Sequence, residues 1–138
     1  MNRDEYRRVA QARLVDAQVL LRARRYVGAY YLAGYAVEGA LKACIARQFR
    51  AATIPDKGSV DKLYVHNLVV LVRFANLVDA LDAERRRDPL FGAHWQTVQG
   101  WSAESRYLLT QPAIEAHNMV DGVADPDHGV LRWLKQHW

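Results

Sequence analysis

The sequence predicts an all-α fold, a single helical domain over residues 1–138 with about five helices. Two observations predict it. Apolar residues recur at three- and four-residue steps through most of the chain. No stretch alternates apolar and polar residues between hairpin turns, and only Leu63 to Val65 reads even weakly as a strand. The length, 138 residues with 51% hydrophobic and 25% charged, suits one domain that buries a core without disulfides or a structural metal.

The elements follow in order. Tyr6, Ala10, Leu14, Ala17, Leu20 and Leu21 define the apolar face of a first helix from Arg3 to about Arg24, with most of its arginines outside. Gly28 separates it from a second helix, Ala29 to Phe49, which is apolar nearly all round and so belongs at the centre of the bundle. Gly34 and Gly39 within it let neighbouring helices come close. Thr53 to Lys62, with Pro55 and Gly58, reads as a connecting loop. A third helix is predicted from His66 or Asn67 to about Glu84, burying Leu68, Leu71, Val72, Ala75, Val78 and Leu81, and the run ERRRD ends it. Asp88 and Pro89 form a cap and first-turn pair for a fourth helix that aligns Phe91, Trp95, Val98 and Trp101. Thr110 and Pro112 open a fifth through Ile114, His117, Val120 and Val123; Asp125-Pro126-Asp127 interrupts it, and Val130 to Trp138 adds a last amphipathic stretch. No fixed-period repeat or low-complexity tract is present.

Composition excludes several classes of function. Cys44 is the only cysteine, which rules out a disulfide scaffold and a cysteine-rich zinc module and points to a reducing, cytoplasmic compartment. No apolar run reaches the roughly 18 residues of a spanning helix, and MNRDEYRRVA lacks the apolar core of a secretion signal, so no membrane association is expected. The net charge of +4 is carried by residues 1–25, where seven arginines face Asp4, Glu5 and Asp16; the rest of the chain is balanced. Arginines outnumber lysines 15 to 4. Guanidinium forks match phosphates and carboxylates, so Arg3, Arg7, Arg8 and Arg13, together with Arg85 and Arg86, are candidate phosphate contacts. The plain alternative is a solvated helix face.

Three groups stand apart from the core pattern. Tyr35, Glu38 and Lys42 lie on one face of the apolar second helix, where a buried carboxylate and ammonium four residues apart should pair. They serve either as a polar lock fixing helix register or as a carboxylate in a cleft. Trp101 to Tyr107 is dense in polar and aromatic side chains. Arg106 is expected to reach Glu38 across the bundle; otherwise Glu104, Arg106 and Tyr107 line a groove for a phosphate or a stacked base. The five histidines, His66, His94, His117, His128 and His137, show no metal-ligand spacing, so neither a metal nor another cofactor is predicted. No nucleophile-elbow motif accompanies them.

Ala29 to Ala43 (AYYLAGYAVEGALKA), Trp101 to Tyr107 (WSAESRY) and Gly129 to Trp138 (GVLRWLKQHW), in this order and at these distances, resemble the small bacterial HEPN-domain proteins. The resemblance covers nearly the whole chain. It implies an up-and-down helical bundle that forms a homodimer, works in toxin-antitoxin or defence systems, and is often paired with a minimal nucleotidyltransferase. Many members are metal-independent endoribonucleases whose signature is an Arg, a polar residue, and a His after four to six intervening residues. Arg87 with His94 fits that spacing and is followed by Asp88; Arg132 with His137 fits the spacing alone. A chain with this many Arg and His residues contains roughly 1.6 such pairs by chance. Pro89 and Gly92 interrupt the first pair, and apolar Trp133 follows Arg132 in the second. The reading that leads is therefore a helical binding protein for RNA, a nucleotide or a nucleotidyltransferase partner. The alternatives are an endoribonuclease using Arg87 and His94, and a structural interaction module presenting the fourth helix or the Trp-rich tail.

Overall fold

The computed structural model describes residues 1–49 and 56–138. The fold is all-α, with eight helices among the described residues: α1 Arg3–Arg22, α2 Tyr26–Ala46, α3 Lys57–Asp61, α4 Leu68–Phe74, α5 Val78–Arg87, α6 Pro89–Val98, α7 Ala113–Ala124 and α8 Val130–Leu134. Two 3₁₀ turns, Lys62–Tyr64 and Ala103–Tyr107, complete the set.

The apolar character of α2 fixes the architecture. Thirteen of its residues, from Ala29 to Ile45, are buried, because α1, α4, α7, α8 and the second 3₁₀ turn all pack around it. Its small residues set the spacing. Gly39 meets Ala10 of α1, and Gly34 receives the indole of Trp101. Trp95, Trp133, Phe91 and Met119 fill the other side of the core, with the Phe91 and Trp133 rings 5.3 Å apart. Each fully buried side chain of this kind contributes on the order of 1.5–3 kcal/mol.

Several boundaries differ from the sequence reading. Gly28 does not separate α1 from α2; it lies inside α2 against Leu20, and the turn falls at Arg24, whose φ of 60° reverses the chain. Helix α2 ends at Ala46 rather than Phe49. Within Thr53 to Lys62, residues Lys57–Asp61 form α3, capped by the Asp56 carboxylate on the Ser59 N–H at 2.7 Å, while 53–55 lie outside the described residues. Leu63 to Val65 is a 3₁₀ turn and its exit, not a strand.

The third helix is two. Asn76 takes a left-handed φ of 58°, ending α4 with the Leu77 N–H on the Val72 carbonyl, and α5 restarts at Val78. A hydrophobic period continues across that break, which is why the pattern alone did not show it, and Val78 is left exposed. The ERRR run lies inside the last turn of α5, where its cations complement the helix dipole. Asp88 caps α6 as predicted, accepting from the Leu90 and Phe91 N–H groups. Trp101 is buried but lies beyond the end of α6. Helix α7 buries Ala116, Met119, Val120 and Val123, so Ile114 and His117 face outward.

Candidate functional site

The Glu38–Lys42 pair forms as its spacing requires. Both are buried, with Lys42 Nζ 2.8 Å from Glu38 Oε1. The second partner of that oxygen is His66 Nδ1, at 3.0 Å, and not Arg106. His66 arrives from the loop before α4, and Glu38 Oε2 is buried with no partner among the described residues. Tyr35 and Tyr6 stand near Glu38, and their phenol pKa values are raised, first by burial and then by neighbouring groups that include the Glu38 charge. This is a polar core joint between α1, α2 and the His66 loop.

Arg106 lies on the surface. Its guanidinium sits 4.8 Å from the Tyr107 ring centre, and its pKa is raised by the phenols of Tyr107 and Tyr31. Glu104 and Tyr107 are exposed as well, so the second polar group divides. Its Trp101 end is core, and its Tyr107 end is surface.

The two arginine-rich segments meet at one end of the bundle, around residues 132–138. Arg3 donates to the Trp138 carbonyl, Arg7 covers the Trp138 ring at 5.3 Å, and Arg47 donates to the His137 carbonyl at 3.2 Å. Lys135 lies 6.0 Å from the same Trp138 ring. Arg132, at 3.2 Å, and Arg87, through Nε at 3.0 Å, share the Glu84 carboxylate. That pairing lowers the Glu84 pKa. Of these six cationic side chains, Arg87 and Arg132 pair with Glu84 and Arg7 pairs with Asp4. Arg8, Arg85 and Arg86 are exposed and form no ion pair among the described residues, whereas Arg13 is within 3.1 Å of Asp16. Three nitrogens of this region, Arg3 Nε, Arg132 Nε and His137 Nε2, are buried without a partner among the described residues. Burial, and then the nearby Arg47 charge, lower the His137 pKa.

Arg87 and His94 are not joined. Arg87 is turned to Glu84, while His94 Nε2 lies 3.0 Å from Asp125 Oδ2. Arg132 and His137 are also separately engaged, the latter edge-on to Trp133. None of the histidine–carboxylate pairs is marked in the sequence, and a third, His128 Nδ1 to Asp88 Oδ2 at 2.7 Å, raises the His128 pKa and lowers that of Asp88. Asp125 links the two pairs, since its Oδ1 accepts from the N–H groups of Asp127 and His128. These bonds, led by the one to His94, hold its carboxyl at about 2. The partners lie 31 and 40 residues apart, a separation with no local spacing to reveal it.

In the fourth predicted helix and the Trp-rich tail, Trp95, Trp133 and Trp138 are buried, while Leu90 is 58% exposed. Among the described residues no group of three or more His, Cys, Asp or Glu side chains is placed to hold a metal ion, and no helix is long and apolar enough to cross a membrane. No protein-family model, curated protein or solved structure matches the chain.

Proposed function

We propose that this chain is a HEPN-like helical binding protein that holds RNA or a nucleotide through the phosphate, at the basic end of the bundle. One observation carries the reading: Arg3 and Arg47 reach the Trp138 and His137 carbonyls beside Arg132, Arg7 and Lys135, so cations from separate parts of the chain converge on residues 132–138. Such a concentration of guanidinium groups suits an oxyanion, which accepts charge-assisted, bidentate N–H bonds. Arg8, Arg85 and Arg86 extend the basic surface outward.

The test is fluorescence anisotropy of a labelled single-stranded RNA across a salt series. Binding should weaken steeply with salt, with a slope of about −0.7 per phosphate contacted. Replacing Arg85 and Arg86 with Glu should reduce both affinity and slope. No binding at low salt, or binding that ignores salt and both substitutions, sinks the reading.

The metal-independent endoribonuclease is kept as a second reading because of His128. Asp88 holds its Nδ1 and leaves Nε2 for proton transfer, and Arg87 is the residue directly before Asp88. RNA cleavage in EDTA that is lost on His128→Ala would favour it. Cleavage lost only on His94→Ala would return the role to the pair that sequence spacing suggests.

A further inference from the structure

Away from the basic end, a groove of about 580 Å³ opens between the α1–α2 turn and the segment that follows the second 3₁₀ turn. Leu20, Tyr26 and Val27 form one wall and Leu108 and Leu109 the other. Leu109 is 97% exposed, and Leu108 beside it is 49% exposed. Large apolar side chains held out in water next to an apolar groove mark an interaction surface.

The rim is cationic. Arg24 and Arg25 line the groove and Arg22 precedes them; all three are exposed and form no ion pair among the described residues. Glu115, near the far edge, is taken up by the Gln111 side chain. The second wall begins extended, with Leu108 at φ −70° and ψ 141°, and the N–H groups of Leu109, Thr110 and Gln111 donate to no acceptor among the described residues.

We propose that this groove docks an extended, acidic, aliphatic-bearing peptide segment of a protein partner. Carboxylates meet Arg24 and Arg25, aliphatic side chains enter between Leu20 and Leu109, and the peptide's carbonyls accept from the 109–111 backbone. The same features disfavour two other occupants. A second copy packed about a twofold axis would set these arginines against themselves. Single-stranded nucleic acid needs aromatic platforms for its bases beside a cationic groove, and Tyr26 is the one aromatic among the described residues lining this one. The proposal is independent of the basic end.

The experiment is selection of a random 12-residue peptide library displayed on phage against the full chain, followed by anisotropy of the synthesised winners. The expected consensus combines Asp or Glu with Leu, Ile, Val or Met. Affinity should fall at least tenfold on Leu109→Asp and on Arg25→Glu, while circular dichroism stays native. Leu109 is out in water, and an acid at the start of α2 suits its dipole, so neither change threatens the fold. No enrichment, a consensus without carboxylates, or winners that bind both variants equally well overturns the proposal. So does a wild-type dimer in sedimentation that Leu109→Asp splits, since a second copy would then fill the groove.

Discussion

The indole of Trp101 rests on the bare Cα of Gly34: a Cβ built there would lie 2.1 Å from Trp101 Cδ1. The ring is held in place by its Nε1–H, which donates to the Tyr31 carbonyl at 3.1 Å, and by stacking on the Tyr31 ring. Gly34→Ala should therefore destabilise the fold by about 1–3 kcal/mol through overpacking, although alanine is the better helix former. Urea denaturation checks this. A Gly34→Ala protein as stable as the parent would mean the indole has room to move.

The buried Glu38–Lys42 pair predicts an asymmetry between single and double replacement. Lys42→Met leaves an almost fully buried carboxylate with His66 as its remaining partner and should cost about 3–5 kcal/mol. Adding Glu38→Leu should recover most of the loss. His66→Ala should cost far less, because that side chain is 56% exposed. Denaturant midpoints of the three variants test the order.

The histidine–carboxylate pairs set opposite pH limits. Asp125, held at about 2, stabilises the fold above the unfolded carboxyl pKa of about 3.9, and that contribution is lost as pH falls toward 2. His128, with its pKa raised by Asp88, stabilises below the unfolded histidine pKa of about 6.5 and loses the contribution as pH rises through its folded value. Melting temperature against pH should lose part of its acid slope in Asp125→Asn and part of its slope above neutrality in His128→Gln. Unchanged slopes would show that other groups govern both limits.

Burial pushes the Cys44 thiol up to about 12, and Sγ lies 3.9 Å from the Leu134 carbonyl. The native protein should resist iodoacetamide at pH 8 and react at an ordinary rate in urea. Rapid native labelling, followed by mass spectrometry, would show that α8 opens readily from α2.

Much of the fold was legible because α2 advertises itself: a 21-residue helix with so few polar side chains belongs nowhere but the centre. The Asp88 cap and the Glu38–Lys42 pair were legible for the same reason, since their partners lie within one helical turn. The break at Asn76 was hidden because Val72 and Ala75 before it and Leu77 and Leu81 after it keep the apolar period alive across a left-handed residue. His66 on Glu38, His128 on Asp88 and Arg132 on Glu84 were hidden because each joins segments 28 to 48 residues apart. Arg3 and Arg7 looked like a free basic face, but both are docked on Trp138. Charge counting reports how many cations a helix carries and not which neighbours already hold them.

The placement of α8 also constrains how the protein is made. Trp133 and Leu134 are enclosed, against Phe91 on one side and Cys44 on the other, so residues 130–138 seal the interior. During synthesis, α1, α2 and α6 leave the ribosome with their apolar faces uncovered and wait for residues 130–138 to emerge. Folding is therefore expected to complete only after the tunnel has released that stretch. A nascent chain stalled before residue 130 should remain protease-sensitive and dependent on chaperones.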